Sequence, residues 1–338
     1  MRRTLLYALV PAFAACQPES EIARQSQTDT FYQEPAASVD ILWVIDNSIS
    51  MIQEQAEIAE QFGNFIGMMD SSGSAIDFHA GIVTTDMDDD NPKRGMMVAS
   101  ATDPAPFITR DTANYVQEFQ SRVMVGTDGS DMEKGLEAAW VALTEPFISD
   151  ANNGFLRDEA ILSVIFVSDE NDCSDQGALP ADSDGLTCYD MMDRLVPIKD
   201  FVQDYRTLKD DASLVVASAI VGPDVVDGCD NTWPGTRYRA VAGAMGGIVA
   251  SICEQDFSGI MSELGISAAG IRTSFGLTYP AVLESIDVWV DDTQVLNDSD
   301  NGWTYDSSTY YLTFAEAAIP PRGSVITVSY EIASGGGA

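Results

Sequence analysis

Basic residues are scarce in this chain. Seventeen Lys and Arg stand against 53 Asp and Glu, for a formal charge of −36. Without a basic footprint the chain is unsuited to nucleic acid, and the same charge opposes adsorption to anionic lipid. Histidine is nearly absent, His79 being the only one, and the five cysteines contain no CxxC spacing, so a zinc site lacks ligands. There is no Gly-rich phosphate loop of the P-loop type. No apolar run is long enough to cross a bilayer as a helix. The surplus is in carboxylate, which suits divalent cations, basic partners or a salty environment; the blandest reading is an acidic, soluble surface. With 45% hydrophobic residues over 338 positions, the chain can build a sizeable core as one large domain or two ordinary ones.

The N-terminus reads "MRRTLLYALVPAFAAC". Arg2 and Arg3 form a charged start, and Leu5 to Ala15 an apolar stretch of signal-peptide length. Small Ala14 and Ala15 precede Cys16, which resembles a bacterial lipoprotein signal with Cys16 as the lipidated residue. Phe13 departs from the usual aliphatic, which leaves an ordinary cleavage site and a secreted protein open. Gln17, in place of an Asp retention signal, favours the outer membrane, with the chain periplasmic or surface-exposed. Setting Cys16 aside leaves Cys173, Cys188, Cys229 and Cys253, an even number that suggests disulfides in an exported chain. Three connectivities are possible; Cys173–Cys188 with Cys229–Cys253 is the simplest.

Residues 1–15 therefore read as a signal peptide and 16–37 as a lipidated cysteine with a polar tether. "VDILWVID" (Val39 to Asp46) and "AILSVIFVSD" (Ala160 to Asp169) are continuous apolar runs, expected of strands covered on both faces. "IDFHAGIVTTD" and "SLVVASAIVG" are further strands, with "MMVAS" as a short antiparallel edge. Helical spacing falls on 50–69, 111–123, 131–144, 189–208 (broken near Pro197), 236–244 and 256–269. Alternating strands and helices over 38–272 predict a doubly wound, mostly parallel α/β sheet, with its site outside the strands' carboxyl ends. From 273 to 333 the period changes to two: Ile286, Val288, Val290; Tyr310, Leu312, Phe314; Ile326, Val328, Tyr330. That predicts a small antiparallel β module, with "NDSDNG" as a hairpin turn and 334–338 as a tail.

Three candidate loops at strand ends carry oxygen donors. "WVIDNSISM" offers Asp46, Ser48 and Ser50; "VGTDGSDMEKGLEAAW" offers Thr127 and Ser130; "IFVSDENDCS" offers Asp169 and Glu170. A small hard cation takes about six oxygens, and hydroxyls mixed with two carboxylates leave it electrophilic. This pattern resembles the von Willebrand factor type A domain with its metal-ion-dependent adhesion site. That family has D-x-S-x-S after the first strand, a Thr before a later helix and an Asp after the fourth strand. Asp46, Ser48, Ser50 and Asp169 match it, and Ser130 stands at the Thr position, with Thr127 as the alternative. The resemblance covers roughly residues 38–270. It implies a Rossmann-like sheet, a bound Mg²⁺, Ca²⁺ or Mn²⁺, and a partner protein whose Asp or Glu completes the coordination. It is nearest to bacterial cell-envelope members of the family that carry a lipoprotein signal.

Each residue also has a plainer reading. Ser48 or Ser50 can cap the next helix, Ser130 with Glu133 can form a capping box, and Asp169 can be a turn residue. Asp86 and the acids after it can hold a second cation or form a solvated turn. His79 is expected to be structural. Catalysis is not expected: the place two residues after Asp46, where acid phosphotransferases tend to carry a second Asp, holds Ser48. The expected function is metal-dependent adhesion through a protein partner, with a scaffold role or, more remotely, a metal-dependent hydrolase as alternatives.

Overall fold

The computed structural model describes residues 25–33, 38–70, 75–88, 91–180, 183–225, 229, 232–321 and 323–333. The signal-like segment, Cys16 and the tail at 334–338 lie outside them. In chain order the elements are β1 (Ser26–Tyr32), β2 (Ser38–Ile45), α1 (Ile52–Asp70), β3 (Asp77–Thr84), β4 (Phe107–Thr109), α2 (Tyr115–Val123) and α3 (Gly135–Leu143). There follow β5 (Ile161–Ser168), α4 (Gly185–Asp190), α5 (Ile198–Arg206), β6 (Val215–Val221), α6 (Thr236–Ala244), β7 (Val249–Ser251) and α7 (Ser258–Ala268). The last six strands are β8 (Ser274–Gly276), β9 (Asp287–Val290), β10 (Thr293–Val295), β11 (Trp303–Asp306), β12 (Tyr311–Phe314) and β13 (Val325–Glu331).

The apolar runs build a six-stranded sheet in the order β4-β3-β2-β5-β6-β7, parallel except for β4. Both faces are covered, which is why β5 is buried along its whole length. The side-chain period of two divides β2 between two cores. Val39, Ile41, Trp43 and Ile45 join α1, α2 and α7, while Leu42 and Val44 join α3, α5 and α6. Trp43 meets the rings of Phe65 and Phe119 at 5.4 Å each, and Phe62 stacks on Phe119. The strand order reverses between β2 and β5, so the crevice of this sheet opens where Asp46 and Asp169 leave it.

The C-terminal strands form two antiparallel sheets, β1-β13-β9-β10 and β11-β12-β8, packed over Phe275, Val288, Leu312, Phe314, Ile326 and Val328. β1 corrects the tether expectation. Its residues pair along β13, Ser26 with Glu331 through to Tyr32 with Val325. The segment looks aperiodic because an acid points inward: Asp29 is buried, accepting hydrogen bonds from Thr278 and Tyr330. Gln33 then ties both connections together, its side chain donating to the Arg272 carbonyl (2.9 Å) and accepting from the Arg272 amide (3.1 Å).

Other expectations shift locally. "MMVAS" forms no strand; Val98 donates to Ile82, and the antiparallel edge is β4, further along. The helix expected from 111 begins at Tyr115, after Asn114 adopts a left-handed conformation (φ 54°). Tyr310 also has positive φ (63°) and faces solvent, so the alternation there starts at Leu312. "NDSDNG" is no hairpin within one sheet; it carries the chain from β10 to β11, in the other sheet.

Candidate metal centre

Asp46 follows the buried strand β2 and is itself fully buried. Its amide donates to the Val167 carbonyl of β5 (2.9 Å). One carboxylate oxygen accepts from the Ser48 amide (2.7 Å) and the other from the Ser168 hydroxyl (2.7 Å). Gln55, one turn into α1, ties the Asp46 carbonyl (3.0 Å) to the Gly126 carbonyl of the next loop (2.9 Å). Ser48 occupies the cap position of the short 3₁₀ turn at Ile49–Met51, yet its hydroxyl makes no cap bond. It lies 3.2 Å from the Ser50 hydroxyl instead. The capping role expected of Ser48 is thus not used, and its hydroxyl stays with Asp46 and Ser50.

The second loop approaches through Gly129, whose amide donates to the Asn47 carbonyl (2.9 Å). A Cβ there would fall 2.4 Å from the Asn47 side chain. Ser130 accepts from the Met132 amide (3.1 Å), and Thr127 is half-buried in the same loop. Helix α3 starts only at Gly135, without a local side-chain cap, so Ser130 and Glu133 form no capping box. The helix start is satisfied from elsewhere: Asp172 accepts from the Leu136 amide (3.0 Å) and Ser174 from the Glu137 amide (2.9 Å). Glu133 is freed from capping and buried, with both carboxylate oxygens meeting no donor.

The third loop places Asp169, nearly fully buried, and the half-buried Glu170. The Asp169 carbonyl accepts from the Trp233 amide (2.7 Å), and Ser168 accepts from the Glu170 amide (3.0 Å). Beyond them the Cys173–Cys188 disulfide joins this loop to α4, and Cys229–Cys253 closes a second loop.

Five carboxylates therefore share one neighbourhood: Asp46, Glu54, Glu133, Asp169 and Glu170. Burial, then the Asp46 charge, pushes Asp169 up to about 7 and Glu170 up to about 7. The same two causes, in that order, push Glu133 up to about 11. Asp46 is raised by burial, and Glu54 by burial and the Asp46 charge. Nearby cations are committed elsewhere: Lys134 pairs with Asp175 (2.8 Å) and Arg237 with Asp172 (3.0 Å). Asp169 Oδ1, Glu54 Oε2 and Asn47 Oδ1 are, like the Glu133 carboxylate, buried without a donor. Buried acceptors left this way are costly unless a cation or proton meets them. Among the described residues no group of three or more Asp, Glu, His or Cys side chains is placed to hold a metal ion by itself. The donor set instead mixes hydroxyls with carboxylates, which fits a small hard cation that keeps some waters.

The first strand of the parallel sheet thus ends in D-x-S-x-S, its fourth strand ends in Asp169, and a loop before α3 brings Ser130. The fold is a doubly wound, mostly parallel α/β sheet followed by an antiparallel β module. Similar solved structures include a von Willebrand factor type A protein from Catenulispora acidiphila, at 12% identity over 94% of this chain (TM-score 0.38). Pilus adhesin SpaC from Lactobacillus rhamnosus GG is 11% identical over 91% of this chain (TM-score 0.44), and pilus adhesin RrgA from Streptococcus pneumoniae 8% over 93% (TM-score 0.38). This chain spans 68%, 41% and 60% of those three chains, less than two thirds of either adhesin. No protein-family model and no curated protein matches the chain.

Elsewhere in the α/β domain, Asp86 accepts from the Asp88 amide (3.0 Å), its carbonyl accepts from Asn91 (3.0 Å), and its backbone bridges to Glu133 in the loop before α3. Asp89 and Asp90 lie outside the described residues. His79 shares a hydrogen bond with the Phe155 carbonyl (2.8 Å) and lies 3.6 Å from buried Asp40, at the opposite end of the strands. Sequence reasoning passed over Glu54 and Glu133 as members of the cluster. Glu54 reads as an ordinary first-turn acid, and Glu133 as a cap partner of Ser130.

Proposed function

We propose that this chain is a cation-dependent binding protein of the cell envelope. In this reading Asp46, Ser48, Ser50, Ser130 and Asp169 hold Mg²⁺, Ca²⁺ or Mn²⁺, and the coordination is completed by an Asp or Glu of a protein partner. The supporting observation is the Asp169 carboxylate, buried beside Asp46 with one oxygen that meets no donor. A divalent cation would supply the missing positive charge and a point of attachment for an incoming carboxylate. Asp46 is held in place by Ser48 and Ser168, and Ser48 and Ser50 offer neutral oxygens that leave the cation's charge incompletely balanced. The envelope setting rests on the lipoprotein-like N-terminus with Cys16, and two disulfides accord with an oxidising compartment. No described helix is long and apolar enough to cross a membrane, so lipid at Cys16 is the proposed anchor. The test is calorimetric titration with Mg²⁺ and with Ca²⁺ of the wild type and Asp46→Ala. Uptake by the wild type that Asp46→Ala abolishes supports the reading. A wild type that takes up neither ion refutes it.

A further inference from the structure

Large apolar side chains stand exposed around the candidate metal centre. Ile49, between the two serines, is 85% exposed, and Ile52, three residues on, 58%. Leu186 is 66% and Trp233 47% exposed. These residues border one surface. Ser50, next to Ile49, interacts with the Asp169 carboxylate, and the Trp233 amide donates to the Asp169 carbonyl (2.7 Å). The Trp233 ring packs 5.2 Å from Tyr189, whose hydroxyl accepts from the Asn171 amide (3.2 Å). A Cβ at Gly185 would lie 3.8 Å from a Glu170 carboxylate oxygen, which brings the neighbouring Leu186 to the same rim. Isolated exposed apolar residues need no explanation, but a cluster rimming a charged site marks an interaction surface.

Charge narrows the occupant. With a formal charge of −36, the chain stays strongly negative after it takes up one divalent ion. A partner segment with several acids would be repelled, whereas a single acid can reach the cation. Its neighbours would then lie against Ile49, Ile52, Leu186 and Trp233. We infer that the partner presents one Asp or Glu flanked by bulky apolar side chains. This rests on the cation reading above.

The experiment pans a phage-displayed random dodecapeptide library on the full chain in Ca²⁺ and Mg²⁺, eluting with EDTA. The expected peptides carry one Asp or Glu between bulky apolar residues. A synthetic peptide of that kind should bind Ile49→Ser and Trp233→Ser about tenfold or more weakly, the scale of an interface anchor. Cation uptake by calorimetry should be unchanged in both variants, and the thermal midpoint unchanged in Ile49→Ser. EDTA-eluted peptides that are acid-rich or lack apolar neighbours, no EDTA-eluted peptide from a chain that takes up cation, or wild-type affinity in both variants would overturn the inference. A chain that takes up no cation refutes the cation reading itself, so the two failures are distinguishable.

Discussion

Removing divalent cations should make the stability of this fold decline as pH rises. Asp169 and Glu170 lose their protons near 4 in an unfolded chain but at about 7 in the fold. Protonation of these groups therefore favours the fold at low pH, and that contribution is lost as pH climbs from about 4 through about 7. For Asp169 the rise from 3.8 to about 7 corresponds to roughly 4 kcal/mol. The gain is smaller in combination, because the carboxylates titrate as a coupled group. A few kcal/mol moves a thermal midpoint by roughly 2–4 °C per kcal/mol in domains of 150–250 residues. The assay is thermal unfolding in EDTA at pH 5 and pH 8, with and without millimolar Ca²⁺, on the wild type and Asp169→Asn. The wild type in EDTA should melt lower at pH 8 than at pH 5, and Ca²⁺ should restore the pH 8 midpoint. Asp169→Asn should show a smaller pH dependence, since it removes this charge but not the general repulsion of a −36 chain. Equal pH dependence in the two proteins would refute the reasoning.

Three other outcomes follow from the packing. Asp172→Asn should destabilise the protein by roughly 3–5 kcal/mol, because it leaves buried Arg237 unpaired and loosens the start of α3; urea unfolding measures it. Phe119→Ala, which empties the stack against Phe62 and the edge contact to Trp43, should cost about 3–5 kcal/mol by the same assay, with cation uptake retained at low temperature. Replacing both Cys173 and Cys188 with Ser should lower stability by about 3 kcal/mol and weaken cation binding measured by calorimetry, because the disulfide ties down the loop that follows Asp169.

Much of the α/β domain is legible because its strands are continuous apolar runs, and α1 shows Ile58, Phe62, Phe65, Ile66 and Met69 on one buried face. Asp46 and Asp169 stand out because each is an acid directly after such a run. What escapes notice depends on contacts distant in sequence. β1 pairs with a strand some 300 residues away, and buried Asp29 breaks its apolar alternation until Thr278 and Tyr330 are seen beside it. Glu133 matches a local capping pattern, but Asp172, from another loop, takes over the helix start and leaves Glu133 facing Asp46. The disulfide pairs coincide with the simplest of the three connectivities, since each closes a short loop.

The place of β1 has a mechanical consequence. The chain runs from β1 past Gln33 into β2, and β2 ends at Asp46. With the proposed anchor and cation, residues 26–46 would be the shortest covalent path for tension from the N-terminus to a partner, with Ser130 and Asp169 passing a share to the loop before α3 and to β5. That path is braced sideways at two places. β1 lies along β13, and β2 is bonded on both sides, to β3 and β5, so pulling along it would have to shear two ladders at once.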